Sequence, residues 1–267
     1  MTFGFLGAGK MAEAILDALT QAELCEPWEV IACDTSEERR DLMARQFGVA
    51  VTDDAAQTVK DCKVLVLAVK PQDADALLGG VKKLLSSGHL LISIAAGKTL
   101  AALKKASGGK PRLVRVMPNL AISVHEGMSV YCADKNAKPA DKRLVERLFG
   151  SAGSVLELPE RHFDAVTALS GSGPAFVAYV MQAMVEAATA LKLPKDAARL
   201  LAEQTLIGTG VYLQHTGRDT AEFIRAVASP KGTTAAGLAV LEKSSVKAVL
   251  AKTLAAAAAR SAELSRA

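Results

Sequence analysis

Cysteine, histidine and aromatic residues are all sparse in this 267-residue chain. The four cysteines, Cys25, Cys33, Cys62 and Cys132, lie far apart and form no C-x-x-C pair. That spacing speaks against a disulfide framework or a thiolate zinc site and for reduced, structural thiols. His89, His125, His162 and His215 are isolated from one another, and neither H-E-x-x-H nor G-x-S-x-G occurs. No metal site is expected, and the usual signatures of a hydrolase are missing. Aromatics make up 4% of the residues while alanine is abundant, a balance that favours closely packed helices over a β-sandwich. Charge of one sign is lacking too: 32 basic and 28 acidic residues are interspersed, for a net charge of +4. Without a basic block, nucleic acid is not an expected partner. No stretch of about 18 uncharged apolar residues exists, so no membrane span is expected. A β-like run begins at once over residues 2–6, with no room for a charged segment and an apolar segment of a secretion signal. The expected compartment is the cytoplasm.

What the chain does have is apolar residues, half of the total, enough for a sizeable core. In the first part, short β-branched runs alternate with helical patterns. Strands are predicted over residues 2–6, 29–33, 64–69, 90–95 and 113–117, with helices over 11–20, 37–47 and 73–85 between them. Strands that alternate with helices imply right-handed crossovers and a mainly parallel sheet covered on both faces. A strand at 128–133, a helix at 139–149 and a strand at 154–158 extend it. From about His162 onward only helices are predicted, over 174–191, 194–216, 220–227, 233–243 and 246–264. The first two of these are apolar nearly all round, as in Phe176-Val177-Ala178-Tyr179-Val180-Met181. Such a helix is buried on every side, and about 105 residues of helix cannot bury two of them unaided. A homodimer joined through the helical half is the expectation.

The strongest local signal is Gly7-Ala8-Gly9-Lys10-Met11-Ala12, which follows a strand and opens a helix. In G-x-G-x-x-[G/A], the first glycine permits a tight turn and the second lets backbone approach a pyrophosphate. The final small residue allows close helix–sheet packing. The fold class is therefore α/β: a Rossmann-type doubly wound sheet over 1–160, then an all-helical dimerisation and substrate-binding domain over 161–267. Gly4 to Lys10 also fit most of a G-x-x-x-x-G-K pattern, but Met11 follows, and a thioether cannot replace the hydroxyl that such a loop places on Mg²⁺. Asp34 ends the second strand, where a carboxylate suits the 2′-hydroxyl of NAD and repels the 2′-phosphate of NADP. Arg39 and Arg40 follow closely, either to counter that charge or as a solvated helix face. The residues by themselves lean towards NADH.

Ligands of doubly wound sheets bind beyond the carboxyl ends of the strands. Lys70, Ala95 to Gly97 and Asn119 fall at such ends and are expected to line one crevice. In the helical half, Ser170-Gly171-Ser172-Gly173-Pro174 and Ser229-Pro230-Lys231-Gly232-Thr233-Thr234 are polar, Gly-rich helix starts. Each offers hydroxyls and unpaired N–H groups that suit a carboxylate, although simple helix capping also accounts for such clusters.

Taken in order, these motifs resemble the pyrroline-5-carboxylate reductase family. The resemblance runs from Phe5-Leu6-Gly7-Ala8-Gly9 through Ala68-Val69-Lys70-Pro71-Gln72, Ala95-Ala96-Gly97 and Val116-Met117-Pro118-Asn119. It continues with Leu169 to Ala175 and Ser229 to Thr234, and so spans nearly the whole chain. It implies reduction of the cyclic imine 1-pyrroline-5-carboxylate to L-proline by hydride transfer from NADPH or NADH. Leu6, Gly7, Ala8, Gly9, Lys10 and Met11 then bind the dinucleotide, with Ala68, Val69, Lys70 and Pro71. Ala95, Ala96 and Gly97 lie near the nicotinamide. Ser229, Gly232 and Thr233 hold the substrate carboxylate through backbone N–H groups. Ser172, Gly173 and Pro174 frame the pocket with Asn119, and Thr234 is the catalytic residue, hydrogen-bonded to the ring nitrogen. The helical halves interlock as homodimers, often assembled into decamers.

Three departures stand out. Where the family has M-P-N-T-P, this chain has Met117-Pro118-Asn119-Leu120-Ala121; where it has S-P-G-G-T-T, Lys231 replaces the first glycine; and Asp34 stands where relatives carry a small or basic residue. Other readings on the same plan are a β-hydroxyacid dehydrogenase, a reductase of another imine, and a non-catalytic dinucleotide-sensing dimer. The hydroxyacid enzymes use a lysine on a long helix, and the nearest candidate, Lys192, sits at a helix end.

Overall fold

The computed structural model describes residues 2–266. They divide into two compact units, one of residues 2–172 with 256–266, the other of residues 173–255.

The first unit is built on eight strands: β1 (Phe3–Leu6), β2 (Val30–Cys33), β3 (Ala50–Thr52), β4 (Val64–Leu67), β5 (Leu90–Ser93), β6 (Arg112–Met117), β7 (Gly127–Ala133) and β8 (Gly153–Glu157). They form one sheet in the order β3-β2-β1-β4-β5-β6-β7-β8. All neighbours are parallel except β6 and β7. The helices of this unit are α1 (Lys10–Gln21), α2 (Glu37–Phe47), α3 (Ala55–Asp61), α4 (Pro71–Val81), α5 (Leu100–Ala106), α6 (Pro139–Gly150) and α7 (Phe163–Val166). A π-helical turn, Thr167–Gly171, follows α7.

The central strands are apolar without a break, Val-Leu-Val-Leu in β4 and Leu-Leu-Ile-Ser in β5, and every residue in them is buried. This is what a sheet covered on both faces requires. Successive side chains feed two cores. Phe3, Phe5, Val64, Val66, Leu90 and Ile92 pack with Ile15 and Leu19 of α1 on one face. Leu6, Leu65, Leu67 and Leu91 pack with Leu78 of α4 and Leu103 of α5 on the other. The helices begin where capping chemistry allows. The Ser36 hydroxyl accepts from Arg39 N at 3.3 Å, Asp54 accepts from the N–H groups of Ala56 and Gln57, and Thr99 accepts from Ala102 N. Gly48, at φ +67°, ends α2.

The second unit holds α8 (Gly173–Ala190), α9 (Lys195–Thr216), α10 (Thr220–Val227), α11 (Thr233–Lys243) and the first part of α12 (Val246–Arg266). Pro194 precedes α9 and Gly217, at φ +61°, closes it; Asp219 caps α10. No residue of α8 is buried, and in α9 only Ala198 and Ala202 are. Val177, Tyr179, Leu200, Leu201, Ile207 and Val240 are exposed to more than half. Helices this apolar in water need a cover from outside the chain. The last turns of α12 belong with the sheet unit, where the buried Ser261 hydroxyl donates to the Asp164 carboxylate at 2.7 Å. Among the described residues no helix is long and apolar enough to cross a membrane, and no cluster of His, Cys, Asp or Glu has the arrangement of a metal site.

Candidate active site

The strand order runs away from β1 in both directions, through β2 on one side and β4 on the other. The connections that leave β1 and β4 therefore splay apart and open a crevice at their carboxyl ends. A cleft of about 710 Å³ lies there, lined by Gly7, Gly9, Asp34, Arg39, Ala68 and Lys70, among others. Its volume is that of a small-molecule site.

Gly7 is held at φ +103° and donates its N–H to the Cys33 carbonyl at 2.8 Å. A Cβ at this position would lie 2.8 Å from the carbonyl carbon and oxygen of Ala68 and from Val69 N, so only glycine fits. Gly9 stands at the start of α1, where no side chain caps the helix, and a Cβ there would meet nothing within 4 Å. The first-turn N–H groups of α1 consequently face open space beside the cleft, where the helix dipole favours an anion. Ala12 is fully buried in the core that joins α1 to the sheet. A glycine turn, an open helix start and a cleft of this size fit the pyrophosphate of a dinucleotide.

At the far edge of the cleft, both oxygens of Asp34 accept backbone N–H groups, from Ala8 at 2.7 Å and Ser36 at 2.9 Å. Arg39 Nε donates to the Ala8 carbonyl at 2.6 Å, and its Nη2 meets Glu13 at 2.8 Å. Arg40 Nη1 donates to the carbonyls of Asp34 and Thr35. Burial pushes the Cys33 thiol up, with nearby carboxylates acting the same way, so it is no thiolate at the cleft rim.

Of the residues expected in one crevice, Lys70 lines the cleft and Gly97 borders a groove with Lys98 and Leu264. Val69 and Lys70 line the cleft, and Pro71 opens α4 behind them. Lys10 and Met11 instead border a neighbouring groove of about 540 Å³, with Leu120 and Ile122. Leu6, Ala8 and Ala95 are buried, so any contact with a ligand is through backbone. Gly97, at φ +77°, turns its Cα towards Leu264, to which a Cβ would come within 3.3 Å. The Asn119 carboxamide accepts from Met128 N at 3.2 Å through Oδ1, which turns Nδ2 towards Ser170 Oγ at 3.5 Å. Ser170 sits in the π-helical turn, closed by Ser172 N donating to the Thr167 carbonyl at 2.8 Å.

In the second unit, Ser229 and Gly232 form a turn, with Gly232 N donating to the Ser229 carbonyl at 3.0 Å. A Cβ on Gly232 would collide with Ser229 Oγ. Lys231 keeps a left-handed φ of +62°. Gly232 begins α11 without a side-chain cap, leaving the N–H groups of Thr233 and Thr234 at its first turn. Thr233 is exposed and Thr234 is half-buried. Pro174 lies in the first turn of α8, directly after Gly173.

Sequence reasoning missed three contributors: Ser36, Glu13 and the Leu264 backing of Gly97. Ser36 before Glu37-Glu38 carried a visible capping signature. The other two are contacts between distant parts of the chain, for which no local pattern exists.

Comparison with known proteins matches nearly the whole chain. Residues 160–264 match the family described as "Pyrroline-5-carboxylate reductase dimerisation", and residues 2–97 match "NADP oxidoreductase coenzyme F420-dependent". A pyrroline-5-carboxylate reductase of Methanosarcina acetivorans is 38% identical over 98% of this chain and 97% of its own length. The Arabidopsis thaliana enzyme of that name is 39% identical over 98% and 95%. Among solved structures, a pyrroline-5-carboxylate reductase from Coxiella burnetii superposes with a TM-score of 0.94 at 34% identity, covering 99% of this chain and 98% of that one. A Plasmodium falciparum pyrroline carboxylate reductase, solved with NADP bound, gives 0.88 at 29% identity, with coverage of 99% and 98%.

Proposed function

The chain belongs to the pyrroline-5-carboxylate reductase family, and from that premise we infer how its own residues carry out the reduction. The protein reduces 1-pyrroline-5-carboxylate to proline with NAD(P)H. Bound NAD(P)H supplies the hydride. The division of labour follows 1–160 for the dinucleotide and 161–267 for the substrate and the dimer.

The observation that carries the site assignment is the uncapped, glycine-led start of α1 opening on the cleft between β1 and β4. There the backbone of Leu6–Met11 holds the pyrophosphate, with Ala68, Val69, Lys70 and Pro71 on the opposite wall. Ala95, Ala96 and Gly97 set the floor for the nicotinamide. The second uncapped start, at α11, holds the substrate carboxylate through the backbone of Ser229, Gly232 and Thr233. Ser172, Gly173, Pro174 and Asn119 frame the ring. The Thr234 hydroxyl donates to the ring nitrogen, where electron density builds as the C=N bond is reduced. Hydride goes to the ring carbon and the nitrogen takes one proton, passed along the Thr234 hydrogen bond and replaced on the hydroxyl from water, so no strong base is needed. The open helical face makes the working unit a homodimer, with a decamer of such dimers as the larger assembly. The four unpaired cysteines suit the reducing cytoplasm.

A spectrophotometric assay of NAD(P)H oxidation with 1-pyrroline-5-carboxylate tests this reading. Turnover that requires the imine is expected. Oxidation with a β-hydroxyacid's keto partner but not with the imine would replace it.

A further inference from the structure

Two arginines and three carboxylates crowd the end of the cleft where the second strand stops. Arg39 and Arg40 stand against Asp34, Glu13 and Asp53, and of these Asp34, Arg39 and Asp53 line the cleft itself. Whether the arginines are free to receive a phosphate decides what this end can bind. Arg39 is committed: its guanidinium bonds to Glu13 and the Ala8 carbonyl, and its side chain is only 19% exposed. Arg40 directs Nη1 to two carbonyls, those of Asp34 and Thr35, and is not among the residues that line the cleft.

Asp34, by contrast, is fixed with its charge showing. Two backbone N–H groups from different segments hold its carboxylate, so no rotation of the side chain removes it from the cleft. Each oxygen keeps a second acceptor site, free for a ribose hydroxyl. We propose that Asp34 is the residue that sets dinucleotide choice in this chain, favouring NADH over NADPH. It accepts the 2′-hydroxyl and repels a 2′-phosphate that Arg39, the arginine lining the cleft, is not free to neutralise while it is paired with Glu13. The bond from Ala8 N clasps the glycine turn to the β2–α2 connection, so the discriminating charge and the pyrophosphate cradle are held as one piece.

This inference rests on the cleft being the dinucleotide site. Its test therefore uses fragments and the ligand-free protein: 5′-AMP against 2′,5′-ADP, titrated by calorimetry. The wild-type protein is expected to bind 5′-AMP roughly tenfold or more tightly than 2′,5′-ADP, a gap that narrows as salt rises. Asp34→Asn should shrink or reverse it and raise the ratio of kcat/KM for NADPH to that for NADH by about tenfold. Because Asn keeps one acceptor, loses the other and carries no charge, affinity for 5′-AMP should fall while that for 2′,5′-ADP holds or rises. Asp53→Asn, an exposed change that leaves the clasp alone, should move the ratio in the same direction by less. A wild-type protein that binds 2′,5′-ADP as tightly as 5′-AMP overturns the proposal and leaves the site standing. Binding of neither fragment at millimolar concentration removes the site, and the proposal with it.

Discussion

At the scale of single residues, Thr233 and Thr234 offer a controlled comparison. Both begin α11, but the first is exposed and the second half-buried. Loss of one preorganised donor at an oxyanion-type site costs about 2.7–4 kcal/mol, or about 10²–10³ in rate. Thr234→Ala is expected to lower kcat towards that range with a smaller change in KM, and Thr233→Ala to leave both near wild type. Equal, small losses in steady-state kinetics of the two variants would mean that the loop acts through its backbone alone. Lys231 sits two positions earlier at a left-handed φ of +62°, where the family pattern has glycine. Relief of that conformation by Lys231→Gly should stabilise the protein by about 0.5–1 kcal/mol, offset in part by the freer unfolded chain. Thermal melts check this; a lower Tm would show that the lysine side chain makes up for its backbone. The glycine positions of the site were legible in the sequence because a turn of this kind tolerates nothing else, as Gly7 shows against Ala68. The partners of Arg39 were not. Its bonds reach back 26 and 31 residues, to Glu13 and Ala8, and leave no mark in the local pattern.

Among the elements, the long and strongly patterned ones were readable. α2, α10 and α11 have the bounds read from their helical patterns, and the buried runs of β4 and β5 announced a covered sheet. β3 with three residues, and α3 and α5 with seven each, were not predicted. Two turns of helix are too short for an amphipathic period to show, and only the caps Asp54 and Thr99 could have marked them. α3 and β5 are also joined by a group with a pH-dependent role. His89, just before β5, lies between Val59 of α3 and the Ser86 turn. Ser86 N donates to Nδ1, so the neutral ring carries its hydrogen on Nε2 and gives it to the Val59 carbonyl at 3.1 Å. Burial holds the imidazole below its usual range, and Lys63 and Arg112 push the same way. An unfolded histidine, titrating near 6.5, then binds a proton before the folded one does. Stability is whole above that pH and declines as pH falls through it towards the lower folded value. Melting temperatures from pH 7.5 to 5 should therefore fall less steeply for His89→Gln than for wild type. Parallel slopes would acquit His89.

At the scale of the whole molecule, the exposed apolar residues of α8 and α9 fall within the segment that matches the family's dimerisation model. A single charge placed among them, Leu201→Glu or Ile207→Glu, is buried without a partner if two copies meet there. Such variants are expected to sediment as monomers or to be lost to aggregation, and to lose activity together with the dimer. A monodisperse, active wild-type monomer at micromolar concentration would defeat this account. That the helical half needs a second copy was evident from its all-round apolar pattern. The arrangement of α12 was not, because its sequence gives no sign that its last turns belong with the sheet. Those turns carry Ser261 to Asp164 and Leu264 to Gly97, which bears on how the chain is made. Residues 256–266 leave the ribosome after residues 2–172 and after the entire second unit. The sheet, though translated first, stays unfinished behind its Gly97 loop until the helical segment has emerged. Biosynthesis thus ties the completion of the Gly97 side of the sheet to the appearance of the helical segment that matches the family's dimerisation model.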